Sequence, residues 1–121
     1  MQIAQKNFYK KFLGRAGEIK AAEFLEKKGF KILKTNYKTH LGEIDIIAED
    51  NGALVFVEVK TRSGDGYGAP SEAVDLKKRE KYFKVASEYL VREKKSDRVC
   101  RFDVVEIEKG EINHIFDAFS M

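Results

Sequence analysis

One stretch, Gly42 to Arg62 (G-E-I-D-I-I-A-E-D-N-G-A-L-V-F-V-E-V-K-T-R), constrains the fold more than any other. Two runs rich in β-branched residues flank Asp50-Asn51-Gly52. Asn-Gly between alternating apolar runs signals a tight hairpin, because both residues tolerate positive φ. With the turn at Asn51-Gly52, Ala48 pairs with Val55, Ile46 with Val57 and Ile44 with Val59, so that one face is wholly apolar. The other face pairs Ile47 with Phe56, Asp45 with Glu58 and Glu43 with Lys60. A slip of one residue would set apolar against polar side chains and turn each set to the wrong face.

Two carboxylates directly opposite one another in a sheet repel. Asp45 and Glu58 are therefore either scattered charges on a solvated face or two sides of a cation site. Hard cations such as Mg²⁺ take oxygen ligands, typically one or two carboxylates with waters and a substrate phosphate. Lys60 follows Glu58 by two residues and projects from the same face.

A chain of 121 residues reads as one domain, 1–121, large enough to bury a modest core. Hydrophobic residues at 43% and charged residues at 36% fit a soluble globular protein. The net charge of +3 permits nucleic-acid binding without demanding it. A single cysteine, Cys100, excludes an internal disulfide and a cysteine zinc site. It lies in an apolar, strand-like run and reads as a buried structural thiol. No apolar run approaches the roughly 18 residues of a membrane span. The polar N-terminus lacks the apolar centre of a signal peptide, which predicts a cytoplasmic protein.

Ahead of the hairpin, residues from about Phe8 to Lys28 predict a helix. Phe8, Phe12, Ala16 and Ile19 fall on one stripe, and Gly29 stops the helix. Gly14 and Gly17 inside it each cost about 1 kcal/mol relative to alanine, which predicts a close neighbour to that backbone. Glu18 has Gly14, Ala21, Ala22 and Leu25 as helical neighbours. It either pairs with Arg15 or faces the sheet beside Asp45 and Glu58. A strand from Phe30 to Tyr37 follows. His40, in the link to the hairpin, is a solvated loop residue or a proton shuttle.

Beyond the hairpin, Thr61 to Pro70 holds three glycines and the chain's one proline, and reads as a loop. It is an ordinary connector or a flap that closes over a substrate. Arg62 continues the alternation of Glu58 and Lys60. A second helix, from Ser71 to about Lys94, is capped by Ser71 or Asp75. It buries Val74, Phe83, Ala86 and Leu90, with Tyr82 and Tyr89 beside them. Lys77, Lys78, Arg79, Lys81 and Lys84 crowd its first half, as a phosphate-contacting cluster or as a solvated face diluted by Glu72, Asp75 and Glu80. Strands Arg98–Ile107 and Ile112–Phe119 close the chain across a Lys109-Gly110 turn; Asp103 and His114 in them could serve a nuclease, but read first as structural hydrogen-bonding residues. This order predicts an α/β protein with a mixed central sheet flanked by helices, and a right-handed crossover joining the Glu58 strand to the Arg98 strand.

G-R-A-G-E in the first helix, G-E-I-D-I-I, V-F-V-E-V-K-T-R, the glycine-rich loop, the lysine-rich helix and R-F-D-V-V together resemble the YraN-like family of bacterial proteins. The resemblance covers nearly the whole chain. That family is placed in the restriction-endonuclease-like superfamily, PD-(D/E)XK, whose signature is Asp followed by Glu-x-Lys on a hairpin. Archaeal-type Holliday-junction resolvases are similar in size and motif layout. Where the signature often has Pro before the Asp, this chain has Ile44.

The resemblance implies a Mg²⁺- or Mn²⁺-dependent endonuclease that hydrolyses phosphodiester bonds in DNA, selecting structure rather than sequence. It also admits a nucleic-acid-binding module without catalysis; a structural or partner-binding protein is the third alternative. By the resemblance, Asp45, Glu58, Lys60 and Glu18 are the catalytic set. Asp45 and Glu58 hold the metal with the Val59 carbonyl, Lys60 orients the attacking water or stabilises the transition state, and Glu18 supports the metal. Arg62 and Lys77 or Lys78 position the nucleic-acid backbone. Action on branched DNA would require a homodimer.

Overall fold

The structure, a computed structural model, describes residues 2–62 and 76–120, with side chains from Arg15 onward. The elements run α1 (Gln2–Lys27), β1 (Lys31–Thr39), β2 (Gly42–Asp50), β3 (Ala53–Arg62), α2 (Leu76–Arg92), β4 (Cys100–Glu108) and β5 (Glu111–Phe119). The strands form one five-stranded sheet in chain order, β1-β2-β3-β4-β5. All neighbours are antiparallel except β3 and β4, which are parallel and joined through the α2 crossover. This is the mixed, helix-flanked α/β sheet expected. Helix α1 starts at Gln2, earlier than the Phe8 expected from its stripe. The loop expected from Thr61 starts later, because Thr61 and Arg62 belong to β3; the rest of that loop, the Ser71 or Asp75 cap and Val74 lie outside the described residues. So do the side chains of Phe8 and Phe12 and the surroundings of Gly14.

The β2–β3 turn is where the sequence puts it, with Asn51 and Gly52 at φ 49° and 85°. The ladder pairs Asp50 with Ala53, Glu49 with Leu54, Ala48 with Val55, Ile47 with Phe56 and Ile46 with Val57, in the expected register. Past Val57 the expectation fails. Instead of an Asp45–Glu58 pair, the Val59 amide donates to Asp45 Oδ2 at 2.8 Å. Ile44 was expected on the face of Ile46 and Ala48; it lies with Ile47 and Phe56 on the other. The two-residue alternation breaks at Asp45. Opposite that break, between the pairs Thr35–Ile46 and Tyr37–Ile44, Asn36 adopts φ 53°. Asparagine tolerates this left-handed conformation better than most side chains.

Each sheet face buries its own core. Against α2 lie Ile44, Ile47, Leu54, Phe56, Phe102 and Val104, meeting Tyr82, Val85, Ala86 and Tyr89. Against α1 lie Ile46, Ala48, Val55, Val57, Val105 and Ile107, meeting Ala21 and Leu25. Strands β3 and β4 are covered on both sides, which is why Leu54–Val57 and Phe102–Ile107 are almost continuously buried. The α1 stripe differs from expectation: Ile19 is 60% exposed, and Ala21 and Leu25 are buried instead. The reason is close approach. A Cβ on Gly17 would run into Thr61 Oγ1 and lie 3.8 Å from Ile107 Cδ1, so the small residues Gly17 and Ala21 face the sheet. The neighbour predicted for Gly17 is thus Thr61.

Asp103 and His114 stand in a hydrogen-bonded network, as the structural reading expects. Asp103 is fully buried. Its Oδ1 accepts from Arg101 Nε and the Asp117 amide, each at 2.9 Å, and its Oδ2 lies 2.7 Å from His114 Nε2. Lys28 Nζ lies 2.7 Å from His114 Nδ1. An ammonium can only donate, so Nδ1 accepts and Nε2 carries the proton given to Asp103. Arg101 also bonds Asp50 at 2.9 Å and stacks 3.6 Å from the centre of the Phe116 ring. Cys100 is partly buried, and burial pushes its thiol up. His40 is exposed in the β1–β2 turn. Among the described residues, no helix is long and apolar enough to cross a membrane.

Candidate metal and phosphodiester site

Four elements converge where β2 and β3 part. Helix α1 brings Glu18 over the sheet, β2 supplies Glu43 and Asp45, β3 supplies Glu58 and Lys60, and α2 supplies Lys78 and Tyr82. Oxygens of Glu18, Glu43 and Asp45 all lie within 4.8 Å of one another. Three carboxylates that close repel strongly unless protonated or bridged by a cation.

Their protonation reflects this. Burial pushes Asp45 up from 3.8 to about 7; the Val59 amide opposes the shift, and the charges of Glu18, Glu58 and Glu43 add to it. Burial also raises Glu18, opposed by a hydrogen bond with Asn36 and reinforced by Glu43. The left-handed turn at Asn36 thus serves the site as well as the strand.

Glu58 is 5% exposed and faces α2. Its Oε1 lies 3.0 Å from Lys60 Nζ and 2.7 Å from Lys78 Nζ. Burial, and after it the adjoining Lys78 ammonium, hold Lys60 below the ordinary lysine value against the pull of Glu58. Lys78 is raised: burial alone would lower it, and its bonds outweigh burial, that to Glu58 first. Tyr82, one turn beyond Lys78 and buried, has its phenol pushed far up by burial, by the Glu58 charge and by the hydrogen bond it donates to Glu58. Among the described residues three buried oxygens have no hydrogen-bond partner: Glu18 Oε2 and Glu58 Oε2 here, and the Tyr37 hydroxyl. A buried carboxylate oxygen without a donor is costly, and a cation would satisfy it.

Of the residues singled out in the sequence, the structure brings Glu18 and Asp45 together beside Glu43 and holds Glu58 with Lys60 and Lys78. The Glu58 charge acts on Asp45, but Glu58 is not one of the three carboxylates within 4.8 Å of one another. The Val59 contact seen is from its amide to Asp45, not from its carbonyl. Arg62 is half-buried at the end of β3, where its charge acts on Glu106. Lys77 is exposed beside Lys78. Two members were missed. Glu43 was paired with Lys60 by strict alternation, although its position two residues before Asp45 already put it on that carboxylate's side. Tyr82 follows Lys78 by four residues, a helical same-face spacing, but was read only as core. The donor set is all oxygen, which suits Mg²⁺ or Mn²⁺, and the orphaned oxygens and raised carboxylates fit such an ion.

Comparison with known proteins gives the family. A family model described as uncharacterised protein family UPF0102 matches residues 17–107, which include Glu18, Glu43, Asp45, Glu58, Lys60 and Lys78. The chain is 44% identical to a UPF0102 protein of Persephonella marina, covering 89% of this chain and 93% of that protein. It is 52% identical to one from Symbiobacterium thermophilum, covering 81% and 83%. With a relative from Caldanaerobacter subterraneus it shares 45% identity over 94% of this chain and 99% of that one. The family read from the motifs is the one these matches show, and the chain belongs to UPF0102.

Proposed function

We propose that this protein is a metal-dependent endonuclease that hydrolyses phosphodiester bonds in DNA and selects structure over sequence. The observation that carries the reading is the convergence of Glu18, Glu43 and Asp45 oxygens within 4.8 Å beside the Glu58–Lys60 pair. Asp45, Glu18 and Glu43 would hold one Mg²⁺ or Mn²⁺, with Glu58 Oε2 the further oxygen that has no other partner. Held there, such an ion supplies Lewis acidity toward a phosphoryl oxygen.

The side chains supply the rest. Lys60, half-buried and shifted down, sits where it can take a proton from an attacking water or offset charge growing on the phosphate. Glu58 fixes the position of that ammonium at 3.0 Å. Exposed Lys77, and Arg62 at the strand end, would guide the DNA backbone; such contacts place a duplex without reading it. A chain of 121 residues offers little surface for base readout, which favours recognition of structure.

One observation favours a second reading. Glu58 is paired with two lysines, as in a purely structural ion network. The orphaned oxygens of Glu18 and Glu58 weigh against it, because a structural network satisfies its buried members. The test is cleavage of single-stranded, duplex, flapped and four-way DNA with Mn²⁺ by wild type and Lys60→Ala. The reading predicts cleavage by wild type and a loss of at least about a hundredfold in the variant. Equal cleavage by both, or DNA binding without cleavage by either, would overturn it.

A further inference from the structure

The two ammonium groups on Glu58 are not equivalent. Lys60 reaches Oε1 from the same strand, at 3.0 Å and 21% exposed. Lys78 reaches the same oxygen from α2, at the shorter 2.7 Å and 42% exposed. A carboxylate oxygen has two lone pairs, and two ammonium donors use both. With the Tyr82 phenol also bonded to Glu58, Oε2 is the oxygen left without a hydrogen-bond partner for an incoming cation. We infer that Lys78 is a built-in counter-ion of Glu58, which a divalent cation must displace before Glu58 can act as a full ligand. The inference rests on the reading of this site as a metal centre.

Displacement falls on Lys78 for physical reasons. Both ammonium groups ride on the same flexible four-carbon stem, but that of Lys78 is the more exposed, 42% against 21%. Helix α2 need not move with it, because Tyr82, Val85, Ala86 and Tyr89 dock the helix from further along. A divalent charge beside Glu58 and Asp45 would also repel an ammonium held on the same oxygen. Once released, Lys78 lies next to exposed Lys77, on the helix that faces any phosphate drawn to the ion. Metal loading and phosphate capture are then linked through one side chain.

The experiment is calorimetric titration of the full chain with Mn²⁺ alone, with no nucleic acid. Lys78→Met keeps the stem and removes the charge, and is expected to bind Mn²⁺ about 3- to 10-fold more tightly than wild type, a gain limited by solvent screening of the half-exposed pair. Glu58→Gln combined with Lys78→Met should lose that gain. Lys84→Met, an equal charge loss at an exposed position of α2 away from Glu58, should leave the affinity within about twofold of wild type. If Lys78→Met fails to fold, as checked by circular dichroism, Lys78→Gln takes its place. Unchanged or weaker binding in Lys78→Met, or an equal gain in Lys84→Met, would overturn the inference while leaving the metal centre standing. No Mn²⁺ binding in wild type or in any variant would overturn the metal reading itself, and the inference with it.

Discussion

Asp45 shows most clearly how the site is held under tension. Its carboxyl is pushed from 3.8 to about 7, chiefly by burial. The folded protein thus binds a proton on Asp45 that the unfolded chain gives up near pH 4. The contribution of Asp45 to stability falls as pH rises from about 4 to about 7, by an amount on the order of a few kcal/mol, and is constant beyond. Asp45→Asn keeps an oxygen for the Val59 amide and removes the penalty. Its melting temperature should exceed that of wild type at pH 8, and the gap should narrow toward pH 5. Asp103 is the opposite case. Burial alone would raise it, but bonds from His114, Arg101 and the Asp117 amide hold it below 3.8. Its contribution is complete above the ordinary carboxylate value and is lost as pH falls through the lower folded value. Asp103→Asn leaves Arg101, 12% exposed, short of its fully buried partner, and urea denaturation at pH 7 should show a loss of about 3–5 kcal/mol. At pH 2 the difference should shrink.

Among the elements, the hairpin was the most legible and α1 the least. Asn51-Gly52 and the alternation from Ile46 to Ala48 and from Val55 to Val57 carried the register of β2 and β3, because turn chemistry and burial agreed there. The break at Asp45 was not legible, since it depends on the left-handed turn of Asn36 on a neighbouring strand. The Lys78 contact with Glu58 spans β3 and α2, and only the docking of the helix decides which lysine of a run of basic residues points inward. In α1 the apolar stripe pointed to Ile19, whereas close packing selected Gly17 and Ala21. The glycines were the better signal: a costly residue inside a helix marked the contact with Thr61. Gly17→Ala gains about 1 kcal/mol in helix propensity, yet it should destabilise the protein by about 1–3 kcal/mol through overpacking on Thr61. In a Thr61→Ala background the same change should be neutral or stabilising, because only ordinary contacts remain there. Chemical denaturation of the four variants of that cycle measures the coupling.

For the whole molecule, the sheet acts as a frame that delivers charges from four elements to one place. Glu18 rides on α1, Glu43 and Asp45 on β2, Glu58 and Lys60 on β3 and Lys78 on α2. No single segment carries the site, so it forms only when both faces of the sheet are packed. Partial unfolding of α1 should therefore abolish cation binding before the β2–β3 hairpin opens. Burial and, after it, mutual repulsion of these carboxylates destabilise the folded protein, and the proposed cation would offset both. An ion that binds only the folded state stabilises it by about 2.7 kcal/mol at a hundred times its dissociation constant. The most direct measurement of this account is the melting temperature of wild type and Asp45→Asn at pH 8, with and without saturating Mn²⁺. The account predicts a rise of several degrees in wild type and little or none in the variant. An equal shift in both, or none in wild type, would contradict it.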